Sequence, residues 1–101
     1  MGWATPFIQK LKQGETVSFR PRGHSMKGKI ESGQLCTVEP ISSFETLEKG
    51  DIVLCKVNGK EYLHLIKAIN GARLQIGNNR GRINGWVTAN SILGKCVKID
   101  D

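Results

Sequence analysis

The sequence predicts a mainly β domain, a curled and partly closed antiparallel sheet preceded by one short helix. Three observations carry this expectation. Asn-Gly dipeptides stand at 58–59 and 70–71, each directly after a β-rich run, and Asn-Gly is the strongest short-range hairpin signal. Helix-start and helix-stop residues frame a helix only near the N-terminus. The chain of 101 residues is long enough for one small core, so a single domain is expected over 1–101, with the helix near 6–13 and the β part over about 16–99.

The elements follow in order. Thr5 before Pro6 reads as an N-cap with proline at the first helical position. Phe7, Ile8 and Leu11 fall at helical spacing, and Gly14 supplies the stop. Residues 16–20 form a short β-rich segment. In 34–41, Leu35, Thr37 and Glu39 alternate with Cys36 and Val38 until Pro40 ends the run. A strand over 51–57 meets Asn58-Gly59, so 60–69 should return antiparallel, and Asn70-Gly71 should send 72–76 back as the third strand of a meander. Gly77-Asn78-Asn79-Arg80-Gly81 reads as a loop, and Trp86-Val87 and 93–99 complete the sheet, with Trp86 as a packing residue. Curling limits the exposed edges.

Composition narrows the function classes. No apolar run approaches the length of about 20 residues that a membrane helix needs, and the first thirty residues lack the continuous apolar stretch of a secretory signal. Contact of Trp3, Phe7 and Ile8 with a membrane surface is disfavoured. Fifteen Lys and Arg against nine Asp and Glu give a net charge of +6, but the cations are scattered and aromatics few. That pattern favours a solvated basic surface over a nucleic-acid face. Cys36, Cys55 and Cys96 lie far apart in strand-like runs, without Cys-x-x-Cys or Cys/His spacing. They read as buried free thiols in a reducing, cytoplasmic setting, with no metal site and no cofactor.

Two residue types capable of hydrolytic chemistry stand out. Ser25 follows Gly23-His24 at the mouth of a turn. On 60–69 the period of two puts Tyr62, His64, Ile66 and Ala68 on one face and Leu63, Leu65, Lys67 and Ile69 on the other. His64 thus sits on a largely apolar face, where it is either a core histidine bonded to backbone or a base. His24 is a second histidine near Ser25, but adjacent side chains on extended backbone point apart.

Several stretches, in this order, resemble the protease fold shared by LexA-type repressors and type I signal peptidases: Gly23-His24-Ser25-Met26, Ser32 to Pro40, Leu47 to Val57, Tyr62 to Ile69, Ile76 to Asn79 and Gly85 to Ile99. The resemblance implies that Ser25 is the nucleophile and that Gly50-Asp51 opens the strand before the one bearing the base. It places His64 at the base position in place of Lys67, with Asn78 where histidine-type signal peptidases carry the Asp that orients it. Backbone N–H groups of the turn Gly23, His24, Ser25 and Met26 would receive the oxyanion. A histidine base suits neutral pH directly, since its ordinary pKa is about 6.5.

Three departures accompany the resemblance. Asn78 replaces an Asp, and Leu65 replaces the arginine that usually follows the base. The 24 residues before Ser25 contain no Ala-Gly bond and no helix-turn-helix, so self-cleavage of a repressor is not the expected role. The expectation is a signal-peptidase-like serine peptidase acting on a peptide or protein through a Ser25/His64 dyad. The alternative is a weak or inactive member of the same fold that captures an extended peptide by strand addition.

Overall fold

A computed structural model describes residues 2–101. It is a mainly β fold: one seven-stranded antiparallel sheet, not closed into a barrel, with one short helix. Helix α1 spans Thr5–Lys12. Strands β1 (Val17–Phe19), β2 (Leu35–Glu39), β3 (Ile52–Val57), β4 (Lys60–Asn70), β5 (Arg73–Gly77), β6 (Ile83–Thr88) and β7 (Ile92–Asp100) follow. The sheet order is β1-β2-β7-β3-β4-β5-β6, so β7 crosses back from the β6 edge and inserts between β2 and β3.

Local chemistry explains the helix ends and the hairpins. At the C-terminal end of α1, Gly14 takes φ 85°, its N–H bonds to Leu11 O, and Glu15 N–H bonds to Lys10 O. This is a Schellman closure, and it needs the left-handed backbone that glycine adopts freely. The N-terminal end differs from expectation. Ala4, not Thr5, is the cap residue, and its side chain makes no capping bond. The carboxylate of Glu61 on β4 caps this end instead, its Oε1 accepting from Ala4 N–H at 2.6 Å while Thr5 Oγ1 donates to Oε2 at 2.7 Å. In the β3–β4 hairpin Asn58 and Gly59 both have positive φ, 52° and 80°, as a type I′ turn requires. In the next hairpin Asn70 pairs with Arg73, so the turn residues are Gly71 and Ala72, one position later than the dipeptide suggests.

Each side of the sheet carries a buried apolar cluster. Ile8, Leu11, Phe19, Val38, Leu54, Leu63 and Leu65 pack on the side that α1 covers. Val53, Cys55, Ile66, Leu74, Ile76 and Ile92 pack on the other, with Leu47 over them. The alternation of β4 holds through Ile66: Leu63 and Leu65 belong to the first group, Tyr62 and Ile66 to the second. There it breaks. Ile66 pairs with Ile76 and Ala68 with Gln75, which leaves Lys67 as the extra residue of a bulge. Trp86, expected to pack, lies 40% exposed on the edge strand β6. Ile8 is buried and Phe7 is stacked on Phe19 at 4.5 Å, so of Trp3, Phe7 and Ile8 it is Trp3 that is markedly exposed. Among the described residues no helix is long and apolar enough to cross a membrane.

Candidate active site

The serine turn is built from its buried half outward. Met26 and Ile30, four residues apart, are both buried in the helix-side core, and Ile30 N–H bonds to Met26 O at 2.8 Å to close one helix-like turn. Gly23, before that turn, and Gly28, within it, take φ 115° and 98°, backbone that glycine adopts freely. Anchoring Met26 inward leaves Ser25 exposed at the mouth of a cleft of about 820 Å³.

His64 faces Ser25 from the middle of β4. Its Nε2 lies 3.3 Å from Ser25 Oγ, and its Nδ1 lies 2.7 Å from Asn84 Oδ1. The imidazole is buried at 6% exposure, and the Tyr62 ring stacks on it with centroids 4.8 Å apart. An amide oxygen only accepts, so with Asn84 Oδ1 toward the ring Nδ1 must carry the proton. Nε2 is then a lone pair able to accept the Ser25 hydroxyl proton. Burial lowers the pKa of His64 from its ordinary value, the bond to Asn84 pulls it partly back, and the Arg82 guanidinium lowers it further. The result is an imidazole that is neutral at neutral pH, as a base must be.

Asn78, expected from the resemblance to orient the base, does something else. Its Oδ1 accepts from Arg80 N–H at 2.8 Å and Arg82 N–H at 2.9 Å, closing the loop between β5 and β6. Asn84 meets the imidazole in its place, and the reason lies in the strand register. Gly77 pairs with Ile83 and Ile76 with Gly85, so Asn84 is the unpaired extra residue of a bulge. A bulge re-aims a side chain, here toward the imidazole. The sequence carried a signal for this: Asn84-Gly85 is a third Asn-Gly, set inside a strand-like run, and Gly85 takes φ 148°. The strand expected from sequence began only at Trp86, so Asn84 was missed.

Asn79, expected only as part of the loop after β5, also reaches the serine turn. Its N–H donates to Ser25 O at 2.8 Å and its Nδ2 donates to Lys27 O at 2.7 Å, so the loop after β5 clamps the serine turn from both ends. Lys67, also on β4, donates from Nζ to Asn78 O at 3.0 Å and anchors the same loop. Gly77 permits this packing, since a Cβ there would lie 2.5 Å from Arg82 O. Within the turn, Gly23 N–H donates to Ser32 Oγ at 3.2 Å and is thereby withdrawn from the expected oxyanion set. The N–H groups of His24, Ser25 and Met26 meet no acceptor among the described residues. The His24 residue is exposed.

The remaining reactive groups lie elsewhere. Burial pushes the Cys36 and Cys55 thiols up to about 12, with the neighbouring Cys96 adding to the shift of Cys36. Neither is a thiolate at neutral pH. Cys96, half-buried, is a free thiol like the other two. Asp51 turns out to cap a turn, its Oδ2 accepting from Glu48 N–H at 2.8 Å and pairing with Lys95 at 3.3 Å. Among the described residues no three His, Cys, Asp or Glu side chains are grouped so as to hold a metal ion. No protein-family model matches the chain, and no curated protein matches it.

Proposed function

We propose that this chain is a serine peptidase of the LexA and signal-peptidase type, cutting a peptide or protein through Ser25 and His64. The observation that carries the reading is one chain of contacts, Asn84 Oδ1 to His64 Nδ1 and His64 Nε2 to Ser25 Oγ, at 2.7 and 3.3 Å. In the proposed reaction Ser25 Oγ bonds to the substrate carbonyl carbon as its proton passes to Nε2. The carbonyl oxygen takes the negative charge, and the free N–H groups of Ser25 and Met26 supply donors at the turn. Collapse breaks the C–N bond and passes the proton from Nε2 to the leaving amine; water, deprotonated by the same nitrogen, then attacks the acyl carbon, and Nε2 returns that proton to Ser25 Oγ as the acyl group departs as the acid. The free, buried thiols fit a reducing compartment, which we take to be the cytoplasm.

A specific observation favours a second reading, capture of a peptide without cleavage. An imidazolium forms in each step, and the neutral Asn84 amide cannot balance it while Arg82 opposes it. In serine proteases an Asn at the orienting position lowers the rate by about 10⁴. Reaction of the intact protein with a fluorophosphonate probe, read by mass spectrometry, separates the two. Labelling lost in both Ser25→Ala and His64→Ala supports the dyad. No labelling anywhere between about pH 6 and 9 selects the binding reading.

A further inference from the structure

Along the cleft beside Ser25, one wall is aromatic and the rim is cationic. Phe7 stacks on Phe19 with centroids 4.5 Å apart, and Trp3, half exposed, meets the same Phe19 edge-on at 5.6 Å. Trp3 and Phe7 belong to the N-terminal segment. Glu61 holds that segment in place through Ala4 N–H and Thr5, and its backbone O accepts from Trp3 Nε1 at 3.1 Å. The wall is therefore a fixed part of the fold.

The rim carries Arg20, Arg22, Lys60 and Arg82. None of these pairs with a carboxylate among the described residues. The two carboxylates that line the cleft are already engaged, Glu61 with the start of α1 and Glu31 with Gly28 N–H at 2.9 Å. A basic ligand would thus meet four cations against two carboxylates that are both already hydrogen-bonded within the fold. An acidic ligand would meet Arg22 and Arg82 and the remaining nitrogens of Arg20, whose Nη1 donates to Gly33 O at 2.8 Å. Guanidinium groups bind carboxylates in bidentate fashion.

We infer that the cleft takes an extended peptide in which a large apolar side chain, docked on the Trp3-Phe7-Phe19 wall, is flanked by acidic residues that meet Arg20, Arg22 and Arg82. This deepens the peptidase reading and rests on the cleft being the place where a peptide chain meets Ser25. An acidic side chain beside Arg82 adds a second effect. It offsets the repulsion between that guanidinium and a protonated His64, so the preferred ligand supplies part of the negative charge that Asn84 lacks.

Binding is measured on full-length Ser25→Ala, which holds a ligand without cutting it, by fluorescence anisotropy of three fluorescein-labelled peptides. One has a central phenylalanine flanked by aspartates, one replaces the aspartates with lysines, and one replaces the phenylalanine with serine. At low salt the aspartate-phenylalanine peptide is expected to bind about tenfold or more tighter than either of the others. Added salt should shrink the charge preference and leave the phenylalanine preference. Arg22→Glu with Arg82→Glu should abolish or reverse the charge preference. Trp3→Ala, at an exposed side chain that leaves the core intact, should reduce the phenylalanine preference. Equal binding of the three peptides, or tighter binding of the lysine peptide, overturns the inference. So does a charge preference with no phenylalanine preference and full displacement by a single-stranded oligonucleotide, which would assign the rim to phosphate. Fluorophosphonate labelling of the unmodified chain is scored separately. Peptide preference without labelling removes the peptidase reading alone, and labelling without peptide preference removes this inference alone.

Discussion

Asn84→Asp is the sharpest perturbation of the site. Asn84 and Asp have the same shape, so the substitution leaves the bulge of β6 intact and places a carboxylate where Oδ1 now lies, 2.7 Å from His64 Nδ1. An opposite charge at that range raises a histidine pKa by about 1 to 3 units, each worth 1.36 kcal/mol between the two protonation states. The same charge stabilises the imidazolium that forms as Ser25 is deprotonated. The loss of about 10⁴ seen when serine proteases exchange Asp for Asn sets the ceiling for the gain, and the opposing Arg82 keeps the expectation at about 10² to 10³. The assay is the second-order rate of fluorophosphonate labelling as a function of pH, followed by intact mass. Asn84→Asp should label about 10² to 10³ faster, with its inflection moved to higher pH. Asn78→Asp is the paired control, since a carboxylate there still accepts the Arg80 and Arg82 N–H groups and should leave the rate within about threefold. A folded Asn84→Asp that labels no faster, or an Asn78→Asp that labels faster, would refute the assignment of Asn84 as the positioning residue.

Two further outcomes follow from the same geometry. The pKa of His64 in the folded state lies below its unfolded value of about 6.5, so above that pH both states are neutral and His64 leaves stability unaffected. As pH falls below it, the unfolded chain takes a proton that the folded chain refuses, and stability drops until the folded pKa is passed; thermal melts between about pH 7 and 5 should fall more steeply for the native chain than for His64→Gln, and parallel curves would contradict this. Gly77→Ala puts a methyl group within 2.5 Å of Arg82 O, against backbone that cannot turn aside, so urea unfolding should show a loss of about 1 to 3 kcal/mol. Because the same loop clamps Ser25 through Asn79, labelling of the folded fraction should also slow, and an unchanged rate would show that the clamp does not position the serine.

Much of the fold was legible because its signals are local. Asn58-Gly59 takes the left-handed conformations that its residue types favour, and Gly14 closes α1 through carbonyls three and four residues back. The alternation of Cys36 and Val38 against Leu35, Thr37 and Glu39 appears as buried against more exposed positions in β2. Ser25 and His64 could be singled out by type, face and order of motifs, although the distance between them could not. Failures arise where a distant partner decides. Thr5 precedes Pro6 as a cap should, yet Glu61, 57 residues beyond Ala4, reaches the helix end and takes the capping role.

Sequence alone therefore determined which segments are strands, where one hairpin turns and, to within one residue, where a second does, how the helix stops, and which serine and histidine are the candidates for a dyad. The tertiary structure decided that β7 lies between β2 and β3, that Lys67 leaves the alternation to anchor a loop, and that Asn84 rather than Asn78 meets the imidazole. A bulge exists only as a mismatch between two paired strands. The residue it turns toward the site is fixed by register across the sheet, a property of the pairing of β5 with β6 and absent from either segment on its own.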